Sequence, residues 1–424
     1  MTGRALRFLA ALAVSLAVLP VTAPSVAPEG ASPRPTTSSE TDAGEPLVGP
    51  PPFVRLESRA PIDCADLVSL AELSTAMGVP ESEIAPIDDQ FLEIWTAADI
   101  QAGTLTCQWQ GPSRGWTTGE QAHQISPAGV LISVLPDAGA EFHAYSAYIN
   151  APGWTDLDPP VSGDLLGADS WLYCRTYELE RRCDAAFETD GYWVEFSFNG
   201  PVPAVSSNGS DPQPAVSFGA EIQRALYSAG DLRPPYTISS DRLGAWQSCS
   251  AIDADGVLRG IVGSPSLPPA PDYVGYESLP HEQLAVGLDL VDFEQCGWNT
   301  PSEYSDGSPP PAFADDQVRE MSLSLLPGGE WAWPELQAST LATAERGDGV
   351  AEEVVLPGGI EAVVVCFGDF ACQADALVDH SLVSISYSYS SWAEARVGNE
   401  VAVAQGVRFL PAVIEYLRAH DGQR

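Results

Sequence analysis

The stretch "LPGGIEAVVVCFGDFACQADALVDHSLVSISYS" (residues 356–388) decides how this chain is read. Cys366 and Cys372 flank Gly368-Asp369-Phe370, and runs rich in Val, Ile and Ser lie to either side. A three-residue loop at that point makes the flanking runs antiparallel strands and sets the two cysteines opposite each other. Opposed residues on neighbouring strands lie within disulfide reach. The stretch "DSWLYCRTYELERRCDAAFETDGYWVEFSFNG" (169–200) repeats the figure, with Cys174 and Cys183 placed around a two-residue loop at Glu178-Leu179.

Working outward, the flanking sequence repeats too. "PIDCADLVSLAELSTAMGVP" (61–80) aligns with "WQSCSAIDADGVLRGIVGSP" (246–265), "LTCQWQGPS" (105–113) with "FEQCGWNTPS" (293–302), and "LISVLPDAGAEF" (131–142) with "LSLLPGGEWAW" (323–333). Cys64, Cys107, Cys174 and Cys183 match Cys249, Cys296, Cys366 and Cys372 at separations of 185, 189, 192 and 189 residues. Such self-similarity reads as an internal repeat. Four cysteines per copy permit three pairings. The hairpins select Cys174–Cys183 and Cys366–Cys372, which leaves Cys64–Cys107 and Cys249–Cys296.

Each copy has its own succession of elements. Leu67, Leu70, Leu73 and Met77 recur at helical spacing and Gly78 follows, so a helix is expected over 64–77. Strands are expected at 104–110 and 129–135, then a helix opened by Pro136-Asp137, then strands at 169–176, 181–188 and 191–199. "AVSFGAEIQRALYSAG" closes the copy as a helix. The last helix of the second copy, over 397–419, contains Pro411, which is expected to kink or divide it. The order α-β-β-α-β-β-β-α is α+β: two tandem domains, each an antiparallel sheet covered by helices. The expected divisions are repeat 1 over 61–230, a linker over 231–246 and repeat 2 over 247–420.

The N-terminus reads as an export signal, with two arginines in "MTGRALR" before the apolar run "FLAALAVSLAVLPV". Residues 1–23 are expected to be a signal peptide or a retained N-terminal anchor, and the Pro/Ser/Thr-rich residues 24–60 a disordered linker. Eight cysteines then fit an oxidising compartment, with the protein secreted or in the cell envelope. The formal net charge of −39 arises from 58 acidic and 19 basic residues, the latter all arginine. Phosphate recognition needs a basic face, so nucleic acid is not an expected partner. An anionic membrane surface would repel the chain, and a tether is expected only through the N-terminal segment.

"PIDCADLVSLAELSTAMGVP" followed by C-x-W resembles the exported actinobacterial DUF3558-like domains, a family of unknown function. The resemblance covers the first half of each copy. It implies an envelope location and a helix-covered antiparallel sheet, and it brings no catalytic residue. The chain departs from the family by lacking a lipobox cysteine and by carrying two copies.

Several chemistries are excluded or weakened. Without lysine there is no P-loop lysine, Schiff base or Ser-Lys pair. No G-x-S-x-G occurs, and "HEQLA" from His281 lacks the second histidine of a zinc protease. His123, His143, His281, His380 and His420 are scattered. Neither C-x8-C nor C-x5-C is a structural zinc spacing. "DADG" (Asp253 to Gly256) lacks the remaining ligands of a calcium loop and reads as surface charge. Asp88-Asp89 and Asp315-Asp316 are paired acids in expected loops. No catalytic, cofactor or metal residue is assigned, and no cofactor is expected. Trp109 and Trp298 match between copies and are expected in the core. Trp95, Trp116, Trp154, Trp331 and Trp333 are the candidate ligand-facing aromatics. The reading favours a non-catalytic envelope binding or interaction protein, its partner an envelope protein or glycan. The alternatives are a secreted hydrolase acting on wall polymer or carbohydrate through a carboxylate pair, and a carrier of lipid or a small apolar ligand.

Overall fold

Local signals set the first elements. The Ser69 side chain accepts from the Glu72 amide while the Glu72 carboxylate accepts from the Ser69 amide, a capping box. Gly78, left-handed at φ 66°, ends that helix. The one helix expected over 64–77 is therefore two, α1 (Cys64–Leu67) and α2 (Leu70–Met77), because Val68 and Ser69 are extended. The computed structural model describes residues 56–421 apart from 88–91, 113–114, 119–120, 125–126, 150–164, 178–179, 202–211, 239–241, 245–251, 254, 265–281, 300–317, 347–348, 368–370 and 390–397. The signal segment, most of the 24–60 linker, and Asp88-Asp89, Asp315-Asp316, Trp154, His281 and Cys249 lie outside the described residues.

The remaining described helices are α3 (Ile94–Ala102), α4 (Gly139–Ile149), α5 (Gln213–Ser228), α6 (Val257–Ile261), α7 (Glu282–Leu290), α8 (Trp333–Arg346) and α9 (Asn399–Ala419). The last runs through Pro411 as one helix instead of two pieces. Among the described residues the strands, in chain order, are β1 (Ala85–Pro86), β2 (Leu105–Gln110), β3 (Gly115–Thr118), β4 (Gln121–Gln124), β5 (Gly129–Leu135), β6 (Trp171–Tyr177), β7 (Glu180–Thr189), β8 (Tyr192–Pro201), β9 (Glu294–Asn299), β10 (Glu320–Leu326), β11 (Val350–Leu356), β12 (Ile360–Phe367), β13 (Ala371–Val378) and β14 (Ser381–Ser388). They build two six-stranded antiparallel sheets, β1-β2-β5-β8-β7-β6 and β11-β12-β13-β14-β10-β9, and a separate hairpin β3-β4. The fold is α+β, in two sheet-bearing halves.

Five strands of each sheet run in one common order, and their registers coincide. In the first sheet Cys107 pairs with Ile132, Ile132 with Phe196, Phe196 with Ala185 and Ala185 with Leu172. In the second, Cys296 pairs with Leu323, Leu323 with Ile385, Ile385 with Ala374 and Ala374 with Val364. The hairpin cysteines face each other as expected, Cys174 opposite Cys183 and Cys366 opposite Cys372, both pairs bridged at Cα separations of 4.1 Å. Cys64 and Cys107 are bridged across 43 residues. Cys296 is also disulfide-bonded. The sheets differ at their edges, where β1 joins β2 in the first and β11 joins β12 in the second.

Alternation along the strands sorts each sheet into two faces. The outer face of the first sheet buries Val130, Ile132, Phe187, Phe196 and Phe198 with α2 and α5. The outer face of the second buries Val364, Ala374, Ile385 and Tyr387 with α6 and α9. Gly406 lets α9 approach closely, since a Cβ there would meet the Tyr387 hydroxyl and Val364. The inner faces share a third core with the four middle helices, α3, α4, α7 and α8. From one side to the other the layers are helices, sheet, helices, sheet, helices.

The middle layer crosses over. Helix α3 of the first half packs on β10 of the second sheet, and α7 of the second half packs on β8 of the first. The two helices also pack on each other. Gln101 of α3 donates to the Pro327 carbonyl at 2.8 Å, and Gln283 of α7 donates to the Trp193 carbonyl. Each half thus places one helix and one glutamine in the other. The described residues fall within one compact unit, Pro52–Arg424. Helix α3 was not among the expected elements, although its buried Ile94, Ala97, Ala98, Gln101 and Ala102 are helically spaced and Gly103 caps it.

Candidate functional site: matched recesses on the inner sheet faces

The inner face of each sheet changes character along its strands. At one end it is apolar and packed: Leu135 and Trp193 in the first half, Leu326 and Leu382 in the second. The next residues inward-facing along the strands form polar rows. The first row of the first half runs Ser133, Glu195, Ala186, and the corresponding row of the second runs Ser324, Ser384, Asp375. Glu195 and Asp375 are buried at 3% and 0% exposure. Glu195 accepts from the Gln283 amide at 3.3 Å. Asp375 accepts from the Thr340 hydroxyl at 3.1 Å and from Gln373 Nε2 at 3.0 Å. Burial raises the Asp375 carboxyl above its ordinary range, against hydrogen bonds from Ser384, Gln373 and Thr340. On α3, burial pushes the Asp99 carboxyl up to about 6, although the Thr106 hydroxyl donates to it at 3.1 Å.

Beyond these rows each inner face opens into a recess. In the first half it encloses about 430 Å³ and is lined by Gln108, Gln110, Gly129, Glu180, Arg182, Ser197 and Asn199, with Ile87, Trp109, Pro127 and Ala128 at its margins. In the second it encloses about 490 Å³ and is lined by Gly297, Glu320, Ser322, Phe367, Ala371, Gln373, Ser386 and Ser388, with Trp298, Met321, Cys372 and Tyr387 contributing. The registers put the two recesses at matching strand positions in the two sheets. The row Gln108, Leu131, Ser197, Asp184 corresponds to Gly297, Ser322, Ser386, Gln373. The row Gln110, Gly129, Asn199, Arg182 corresponds to Asn299, Glu320, Ser388, Ala371.

The first recess is braced from within. Asn199 Nδ2 donates to Glu180 Oε1 at 2.9 Å and to the Pro127 carbonyl at 3.1 Å. Arg182 Nε donates to Asp184 at 3.1 Å, and the Asp184 side chain is 8% exposed against 37% for Arg182. In the second recess Ser388 meets Glu320 at 3.5 Å, and Glu320 is exposed.

The sequence-derived candidates fall elsewhere. Trp333 is 2% exposed in the core between the sheets, its Nε1 donating to Glu361 at 2.8 Å, which corrects its reading as a ligand-facing aromatic. Trp95 and Trp331 are partly buried against the same core, and Trp331 donates to Gln101 at 3.1 Å. They pack there because the crossover of α3 and α7 needs large apolar groups to fill the layer. Trp116 lies in β3, and nothing of its side chain is described. Trp109 and Trp298 are core residues as expected. Asp253 is not surface charge: it is buried, accepts from the Leu258 amide at 2.8 Å and pairs with Arg259 at 2.6 Å, so it holds the start of α6. His143 meets Asp169, His380 meets Glu330 and His420 meets the Tyr416 carbonyl. Among the described residues no group of three or more His, Cys, Asp or Glu could hold a metal ion. The recess residues were missed because each strand contributes only one or two. Their signal was the polar alternate positions of "ERRCDA" and "EFSFNG", opposite the cysteine-bearing face.

No family model matches the chain, and no curated protein matches it. Among solved structures, DynU16, a protein of the dynemicin biosynthetic locus, aligns at 9% identity over 80% of this chain and 96% of its own, with a TM-score of 0.11. A likeness of that size carries no argument. The class defined here is a disulfide-bonded α+β protein with two sheet-bearing halves. Its bridges are compatible with an extracytoplasmic location. Among the described residues no helix is long and apolar enough to cross a membrane.

Proposed function

We propose that the chain is an exported, non-catalytic envelope binding protein made of two copies of one unit, and that each copy's recess is its ligand surface. The observation that carries this reading is the coincidence of the two recesses in strand position and register. Concave sites with a few convergent polar groups are where small ligands bind. The common strand order supports the duplication, and the apolar N-terminal run supports export.

The chemistry of the recesses favours binding over hydrolysis. Glycosidic cleavage uses two carboxyl groups facing each other, one with a raised pKa. In the first recess Glu180 is held by Asn199, and Asp184 by Arg182. The carboxyls raised by burial, Glu93, Asp99 and Asp375, line neither recess: Glu93 and Asp99 belong to the start and body of α3 and Asp375 to β13, and the Asp375 charge adds to the rise at Glu93. The carrier reading needs apolar space between a sheet and its outer helices. In the first half that layer is filled by Phe187, Phe196, Phe198 and Phe218 in edge and stacked contact.

Co-sedimentation with the envelope fraction of the cells that make the protein tests this reading. Filling both recesses with Ser197→Trp and Ser386→Trp is expected to abolish retention while leaving the oxidised fold intact. Undiminished retention of the folded double variant would overturn the recess assignment.

A further inference from the structure

We propose that the first-half recess binds a neutral, hydroxyl-rich ligand of the saccharide class through Arg182, Glu180 and Gln110, and that the second-half recess differs in this selectivity. This deepens the reading above and rests on it.

The recess lies on the face of a sheet and not at its edge. The backbone groups of β5, β8 and β7 are paired in ladders on both sides, and at the recess Gln108 to Gln110 of β2 are met by β5 on one side and by Ala85 to Ile87 on the other. A ligand there is recognised by side chains, which disfavours an extended peptide seeking main-chain pairing. The side chains supplied are complementary to hydroxyl groups, each of which both donates and accepts. Arg182 offers a donor fork, Glu180 an acceptor pair, and exposed Gln110 an amide with a donor and an acceptor end.

Two of these groups are set before any ligand arrives. Asn199 spends Nδ2 on Glu180 and Pro127, so it positions the carboxylate. Arg182 spends Nε on buried Asp184, which leaves its two Nη groups for a ligand. Preorganised donors and acceptors reduce the ordering cost of binding.

Charge decides against anionic ligands. A net charge of −39 repels anions at long range, and Glu180 repels them at contact, since the Arg182 charge is already met by Asp184. The Arg182 Nη groups and the Glu180 carboxylate stand on one strand face as donor and acceptor, which suits a polar molecule that carries both donors and acceptors.

The second recess has exchanged this chemistry. Ala371 stands in the place of Arg182, Gly297 in that of Gln108, and exposed Glu320 in that of Gly129. Among its described lining residues there is no arginine, and Glu320 there meets Ser388 at 3.5 Å.

Isothermal titration of the full oxidised chain with maltotetraose, cellotetraose and chitotetraose, and with tetragalacturonate as the anionic control, tests the inference. At least one neutral tetrasaccharide is expected to bind more tightly than about 10 mM, and Arg182→Gln to weaken it about tenfold or more. Because Arg182 braces buried Asp184, Gln110→Ala at the exposed rim of the recess serves as a second variant, expected to weaken binding without changing the fold. Tyr227→Ala, exposed on α5 over the other face of the sheet, is expected to leave the affinity unchanged. No binding by any neutral tetrasaccharide, tighter binding of tetragalacturonate, or affinity unaffected by Gln110→Ala would each overturn the assignment. If envelope retention still depends on Ser197→Trp while no tetrasaccharide binds, the ligand class falls and the binding function stands.

Discussion

Asp99 makes the stability of this protein fall as the solution becomes less acidic. Its carboxyl lies on α3, within the helix pair that crosses between the halves, close to Gly287 of α7 and Leu135. Burial raises its pKa from 3.8 to about 6. A carboxyl whose folded pKa is raised contributes stability that is fully present below the unfolded value and lost as pH climbs through the folded one. The window therefore runs from about pH 4 to about pH 6. A shift of roughly two units at about 1.4 kcal/mol each sets a ceiling of about 3 kcal/mol on the loss. Asparagine removes the ionisation and keeps an acceptor for the Thr106 hydroxyl. Asp99→Asn is thus expected to match the wild type near pH 4 and to exceed it by up to about 3 kcal/mol near pH 7.5. Guanidinium unfolding of both oxidised proteins across that range measures the difference. Because the other carboxylates are common to both chains, their contributions cancel. A difference that stays flat with pH, or an asparagine variant less stable at pH 7.5, would refute the linkage.

Other expectations follow from packing and covalent structure. Replacing Cys64 and Cys107 with serine opens a bridge that spans 43 residues, and denaturation should show a loss of about 4 kcal/mol in the chain-entropy picture, against about 3 for Cys174 and Cys183. Gly200→Ala places a Cβ against the Met77 carbonyl, so α2 and β8 must part, and thermal unfolding should show a cost of about 1–3 kcal/mol or more. Asp253→Asn leaves Arg259 without its buried partner and weakens the cap of α6, with an expected loss of about 3–5 kcal/mol by denaturant titration. Equal midpoints for variant and wild type would contradict any of these assignments.

Much of the architecture is written in local sequence. The period-two runs around Cys366 and Cys372 and around Cys174 and Cys183 announced their strands. Short loops then dictated which residues oppose each other, so the hairpin bridges could be derived from spacing alone. The capping box at Ser69 and Glu72 was equally local, although the break at Val68 escaped notice because leucines continue at helical spacing across it. Helix α3 was overlooked for a related reason: its alanines and glutamine make a weak apolar stripe, and what they bury against belongs to the other half of the chain.

The α+β class, the cysteine pairing within the hairpins and the five strands common to both halves are all legible along the chain. These follow from alternation and loop length, which act over a few residues. That α3 and α7 exchange sheets, that Trp333 fills the layer between them, and that the polar alternates of four strands converge in a recess emerge from three-dimensional packing. Those outcomes depend on which surfaces meet across roughly ninety or more residues of chain, where the entropy of closure is paid only when the whole core forms. A pattern read along the chain names the faces of its elements, but not their partners.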